Sequence, residues 1–137
     1  MVNEELQARI RRFFDGSPFA VAGASTNREK YGNKVLRCYM QHGYEVYPIN
    51  PRAEKVEGLP AYPDLSSLPR RPHGISLVTP PAITRELVRE ALELGVMNIW
   101  MQPGAEDDQA IEAAEQAGAN VIARGPCVLV ALGFRDE

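Results

Sequence analysis

Residues 19–32, Phe19-Ala20-Val21-Ala22-Gly23-Ala24-Ser25-Thr26-Asn27-Arg28-Glu29-Lys30-Tyr31-Gly32, decide the fold. A short apolar run ends at Gly23, passes through a small, polar loop and resumes as an amphipathic helical pattern from Asn33. That is a strand, a phosphate-sized loop and a helix start. Backbone N–H groups at a helix N-terminus lack intrahelical partners and sit at the positive end of the macrodipole, so they favour an anion. Gly23 allows a tight turn, Ser25, Thr26 and Asn27 supply short donors, and Lys30 adds a positive charge. The loop reads as a phosphate cradle. It is not a G-x-G-x-x-G fingerprint or a Walker motif, because Gly23 is followed only by Gly32 and no Gly-Lys-Ser/Thr occurs. An ordinary βα turn that binds nothing fits this stretch alone, so the rest of the chain has to decide.

Outward from this loop the chain alternates strands and helices. Before it, Leu6, Ile10, Phe13 and Phe14 fall at helical spacing behind a potential cap, Asn3, and Asp15-Gly16-Ser17-Pro18 ends that helix. Residues 1–16 are therefore expected to form an N-terminal helix packed on the domain, with Arg9, Arg11 and Arg12 on a solvated face. After the loop, a helix from Asn33 carries Val35, Leu36, Tyr39 and Met40 and stops near Gly43. Tyr44 to Ile49 reads as the second strand and completes a βαβ unit. Residues 51–73 are Pro-rich, with one helical turn capped by Asp64, and form an irregular crossover that is either packed down or helps to cover a ligand. Strands follow at Ile75–Val78, Val96–Met101 and Asn120–Ala123, separated by helices at 82–95 and 105–117. The expectation is an α/β fold: a Rossmann-like, doubly wound, parallel five-stranded sheet in the order 3-2-1-4-5, helices on both faces, forming one domain over residues 1–137.

Ligands of such sheets sit beyond the carboxyl ends of the strands, where the strand order reverses. The irregular polar loops at 23–32, 50–52, 79–81, 102–104 and 124–127 all fall at that edge. At the end of the second strand, where a dinucleotide site uses a carboxylate for the ribose, stand Asn50-Pro51-Arg52; Arg52 suits a ribose that carries a phosphate. A surface Arg in a turn is the plainer alternative.

Composition bounds the partners. A chain of 137 residues with 45% hydrophobic residues supports a core without staples. A net charge of −3 with both signs dispersed gives no field that recruits nucleic acid, so an anion site has to be local. Cys38 and Cys127 form no C-x-x-C motif, and with His42 and His73 they suggest no metal site. No run is long enough to cross a membrane and no signal peptide is visible, which leads to the expectation of a cytoplasmic protein.

From Phe14 to about Gly133 these loops together resemble the CoA-binding domain family, the Rossmann-like proteins similar to the N-terminal domain of the succinyl-CoA synthetase α subunit. Gly23-Ala24-Ser25-Thr26 with Lys30-Tyr31-Gly32 is similar to the family's first loop, which holds the CoA phosphates. Asn50-Pro51 resembles its second-strand ending, which places Arg52 near the adenosine phosphate. Val78-Thr79-Pro80-Pro81 is similar to its Val-Pro-x-Pro segment near adenine and pantetheine, and Gln102-Pro103-Gly104 occupies the place of its fourth-strand loop. Arg124-Gly125-Pro126-Cys127 resembles its Gly-Pro-Asn-Cys segment with the Asn absent.

The resemblance implies coenzyme A or an acyl-CoA as ligand. It does not bring the ligase reaction, which uses a phosphorylated His in a second domain, whereas His42 and His73 belong at the amino edge of this sheet. The leading expectation is therefore a stand-alone CoA-binding protein with no catalytic residues. The alternatives are an NAD(P)-binding redox enzyme or sensor on the same fold, and a regulatory or binding subunit that completes an enzyme chain or forms a homo-oligomer. A nucleophilic Cys127 is weighed against a small residue packed beneath the ligand.

Overall fold

The computed structural model describes residues 4–137, so the expected cap Asn3 lies outside the described residues. Helix α1 (Glu4–Phe13) leads into β1 (Phe19–Ala22), α2 (Tyr31–Gln41) and β2 (Val46–Ile49). A hairpin of β3 (Lys55–Val56) and β4 (Leu59–Pro60) and a 3-10 turn at Leu65–Ser67 precede β5 (Gly74–Leu77). Helix α3 (Pro81–Glu93), β6 (Asn98–Met101), α4 (Asp108–Gln116) and β7 (Asn120–Ile122) follow, and a π-helical turn at Leu129–Gly133 is the last element.

The five long strands are parallel, as expected, but their order is β2-β1-β5-β6-β7. In ordinal terms this is 2-1-3-4-5, a correction of the expected 3-2-1-4-5. The third long strand pairs with β1 because the outer edge of β2 is already taken. Tyr62 donates its N–H to the Pro48 carbonyl at 3.0 Å and accepts from the Asn50 N–H at 2.9 Å, lying parallel to Ile49. Pro48 marks β2 as an edge strand, since a proline cannot donate to a second neighbour. In the expected order β2 would have been flanked on both sides.

The alternation of side chains along each strand divides the core. Phe19, Val21, Trp100 and Ile122 pack with Phe13 of α1 and with Val35, Leu36 and Tyr39 of α2. Ala20, Ala22, Ile75, Leu77, Ile99, Met101 and Val121 face α3 and α4, where Val88, Ala91, Ala110 and Ala114 meet them. The chain moves from β1 to β2 in one direction and from β5 through β7 in the other, so right-handed crossovers put α2 and α3 on opposite faces. Arg9 of α1 is not simply solvated: its guanidinium donates to the Val121 carbonyl at 2.9 Å and covers part of the edge of β7. Among the described residues no helix is long and apolar enough to cross a membrane.

Candidate functional site

The reversal of direction falls between β1 and β5, and the backbone there is unusually close. Gly23 adopts φ +87°, and a Cβ on it would stand 2.1 Å from the Val78 carbonyl oxygen. A Cβ on Gly32, in the first turn of α2, would stand 2.0 Å from the Gly23 carbonyl oxygen. The helix start therefore rests directly on the loop that follows β1, an approach that only glycine permits. Lys30 is the N-cap of α2 but forms no side-chain cap, and the first turn has no acidic residue. The Ser25 hydroxyl accepts the Asn27 N–H at 3.0 Å, which leaves its own proton free to donate outward.

Residues outside the loop hold it in shape. The Asn33 amide donates to the Ser25 carbonyl at 2.8 Å and to the Glu57 carboxylate at 3.0 Å. Glu57 sits in the turn of the β3–β4 hairpin and also pairs with Arg28. Buried Arg37 donates to Asn33 Oδ1 at 2.6 Å and to the Arg28 carbonyl at 2.8 Å, with Phe134 beneath its guanidinium. The Asn33 hydrogen bond, reinforced by Arg28, holds the Glu57 carboxyl below its ordinary range. None of these residues was singled out for the site from sequence, because a tie between positions far apart in the chain leaves no local pattern.

A cavity of ≈ 550 Å³ opens above this loop. Gly23, Ala24, Ser25, Lys30, Tyr31 and Gly32 form one wall, Asn50, Pro51 and Arg52 a second, and Val78 and Thr79 a third. Ala22 and Ile49 form its floor on the α3 face, and Pro63, Ile83 and Leu87 close it. Ile83, a large apolar residue of α3, is 49% exposed at the cavity. In the irregular crossover Leu65 is packed in the core, and Pro63 lines the cavity. A smaller cavity of ≈ 270 Å³ shares Val78 and Thr79 and is completed by Pro80, Pro103, Gly104 and Ala105.

The expected site residues separate in this geometry. Those from Gly23 to Ser25, from Lys30 to Gly32 and from Asn50 to Arg52 meet at the large cavity with Thr79, while Pro80, Pro103 and Gly104 line the small one. Thr26 is exposed on the loop, Pro81 is the exposed first residue of α3, and Gln102 is wholly buried, so these three line neither. Asn50 lines the cavity but has its amide engaged: Nδ2 donates to the Ala24 carbonyl at 2.9 Å, and Oδ1 accepts from the N–H groups of Arg52 and Ala53. It shapes the β2 ending in an Asx turn.

Lys30 and Arg52 form no ion pair with any described residue, although most of the other guanidinium groups do. Among the described residues, no carboxylate, imidazole or thiol lines the cavity. What the site offers is two cations, free backbone and hydroxyl donors, and apolar walls. His42 and His73 lie at the opposite, amino edge, His73 donating its N–H to the Pro18 carbonyl at 2.7 Å.

Beneath the wall, Gln102 Oε1 accepts the Val128 N–H at 3.0 Å, and the Tyr31 hydroxyl stands 3.4 Å from it. Tyr31 also meets the Cys127 thiol. Burial, followed by the Cys127 contact, keeps the Tyr31 phenol well above its usual titration range, so it stays protonated at neutral pH. Gln102 Nε2 is buried without a partner, a condition that costs about 1–3 kcal/mol. Trp100 donates its indole N–H to the Pro126 carbonyl at 3.0 Å and so fixes the loop that carries Cys127.

A family model described as "CoA binding domain" matches residues 17–133. The alpha subunit of ADP-forming acetate–CoA ligase II of Pyrococcus furiosus is 29% identical in an alignment 128 positions long that covers 85% of this chain and 28% of the ligase subunit. The chain thus spans less than a third of that relative's length. Among solved structures, a conserved hypothetical protein from P. furiosus matches with TM-score 0.79 and 36% identity over 85% of this chain and 99% of its own. A hypothetical protein from Pyrococcus horikoshii OT3 matches with TM-score 0.86 and 27% identity over 96% of both chains.

Proposed function

The chain belongs to the CoA-binding domain family, and from that premise we propose that it binds coenzyme A or an acyl-CoA in the large cavity, without chemistry of its own. One observation carries the reading: at the sheet's switch point, an apolar cavity presents two cations, Lys30 and Arg52, that have no ion-pair partner among the described residues. A phosphorylated nucleotide with a long neutral arm matches that distribution. The pyrophosphate is assigned to the loop of Gly23, Ala24, Ser25 and Thr26 and the helix start at Lys30, Tyr31 and Gly32, where N–H groups and the Ser25 hydroxyl converge. The adenosine 3′-phosphate is assigned to Arg52, beside Asn50 and Pro51. The arm runs past Thr79 and Pro80 towards Pro103 and Gly104, where among the described residues no charge lines the smaller cavity. The absence of any carboxylate, imidazole or thiol among the lining residues supports binding without catalysis, and the ligase relative supports a role beside a partner enzyme chain.

A thermal-shift comparison of CoA, 3′-dephospho-CoA and NADP on the wild type and Arg52→Ala tests this reading. A ligand at 100 times its Kd stabilises the native state by about 2.7 kcal/mol, which is readily seen as a rise in Tm. CoA is expected to give the largest shift, and its advantage over dephospho-CoA is expected to vanish in Arg52→Ala. A larger shift with NADP, or none with CoA, overturns the reading.

A further inference from the structure

Three helices begin at the carboxyl edge of the sheet, and their starts differ in charge. Helix α2 opens without an acidic residue or a side-chain cap, beside the two cations of the large cavity. Helix α3 has Pro80 as its cap and Pro81 as its first residue, neither of which has a backbone N–H. Helix α4 is opened by three carboxylates in a row, Glu106, Asp107 and Asp108. Asp107 accepts the Ala110 N–H at 2.9 Å, and Glu106 Oε1 accepts the Gly104 N–H at 2.9 Å, so the chain's own negative charge already meets the positive end of this helix. The guanidinium groups that reach it are committed: Arg85 to Asp107 through hydrogen bonds of 2.9 and 3.0 Å, and Arg124 to Asp108.

The small cavity lies between the starts of α3 and α4, and its donors are spent. Pro80 and Pro103 have no N–H, Ala105 gives its own to the Gln102 carbonyl at 2.9 Å, and Val78 gives its own to the Ala22 carbonyl at 2.9 Å. The Thr79 hydroxyl is paired with that of Thr84 at 2.7 Å, and the Gly104 N–H is held by Glu106. At ≈ 270 Å³ the space is smaller than the about 300 Å³ at which ordinary small-molecule pockets begin, so it suits a small group.

Resting on the CoA-binding reading, we infer that the small cavity receives the acyl end of a short acyl-CoA and selects against negative charge there, with Glu106 as the specificity-determining residue. A carboxylate at the far end of an acyl group would meet no uncommitted cation among the described residues of this wall, and Glu106 would repel it. A methyl end meets no such cost, and an ammonium end is attracted. The two cavities thus divide the ligand by charge: the phosphates belong to the start of α2, and the acyl groups admitted between α3 and α4 are neutral or cationic.

Butyryl-CoA, β-alanyl-CoA and succinyl-CoA differ only in ending on a methyl, an ammonium or a carboxylate, so calorimetric titration of each into the full chain reads charge at constant length. Succinyl-CoA is expected to bind the wild type about five- to tenfold more weakly than butyryl-CoA, and β-alanyl-CoA at least as tightly as butyryl-CoA. Glu106→Gln keeps an oxygen acceptor for the Gly104 N–H while removing the charge, and its affinities for succinyl-CoA and butyryl-CoA should agree within about twofold. Equal affinities of these two for the wild type, a result that needs no variant, would overturn the proposal, as would a gap that survives in Glu106→Gln. Unacylated CoA separates the two ideas: if it binds the wild type while the three acyl-CoAs are bound alike, the charge selection alone is refuted, whereas no binding of CoA refutes the underlying function as well.

Discussion

Gly32 shows how little room the switch point leaves. Its absent side chain lets α2 rest on the Gly23 carbonyl, and in Gly32→Ala the new methyl would have to displace backbone, not a flexible side chain. Overpacking of this kind costs about 1–3 kcal/mol, and any shift of the loop also disturbs its donors. Chemical denaturation of Gly32→Ala is therefore expected to show a loss in that range together with weakened CoA binding; unchanged stability would mean that the loop has slack. Tyr39 is a simpler case. Its hydroxyl is buried against Ser76 Oγ at 2.6 Å, so Tyr39→Phe leaves a buried hydroxyl with one partner fewer and should cost about 1 kcal/mol without affecting ligand affinity.

The β3–β4 hairpin acts on the site as an element. Its turn carries Glu57 at φ +52° and Gly58 at φ +80°, the paired positive values of a tight hairpin turn, and the turn aims the Glu57 carboxylate at Asn33 and Arg28. Because the folded protein holds this carboxyl below its ordinary value, its contribution is present above the unfolded value of about 4.3 and is lost as pH falls through the lower folded value. Wild type and Glu57→Gln are therefore expected to differ most above about pH 5 and to converge towards pH 2 in urea-denaturation midpoints. A constant gap across that range would show that the charge plays no part.

For the whole molecule, the observed strand order makes its own prediction for hydrogen exchange. Strands β1 and β5 are paired on both sides, so their amides should open only with global unfolding. Strand β2 should behave unevenly: the Tyr47 and Ile49 amides face β1, whereas the Val46 amide faces the outer edge and should exchange faster. Uniform protection along β2 would contradict an edge position. The same order puts the ends of β2, β1 and β5 side by side, which gathers residues 23–25, 30–32, 50–52 and 78–79 around one cavity.

By itself the sequence determined the types of the long strands and helices, the parallel sheet and the edge at which the loops converge, because each rests on local periodicity and on glycine and proline at element ends; the β3–β4 hairpin inside the crossover was not legible. Phe19–Ala22, Gly43, the Asp64 cap and Pro81 at the start of α3 all announce themselves within a few residues. Pro48 also carried the edge position of β2, although its meaning depends on knowing what lies on either side. Only the tertiary structure decided the strand order, the closing of the cavity by Pro63, Ile83 and Leu87, the engaged state of Asn50, and the Asn33–Glu57–Arg28 ties behind the loop. These are long-range pairings: which strand takes the free edge of β1, and which side chain meets a carbonyl dozens of residues away, depend on how whole elements fill space, and no local pattern of residues encodes that.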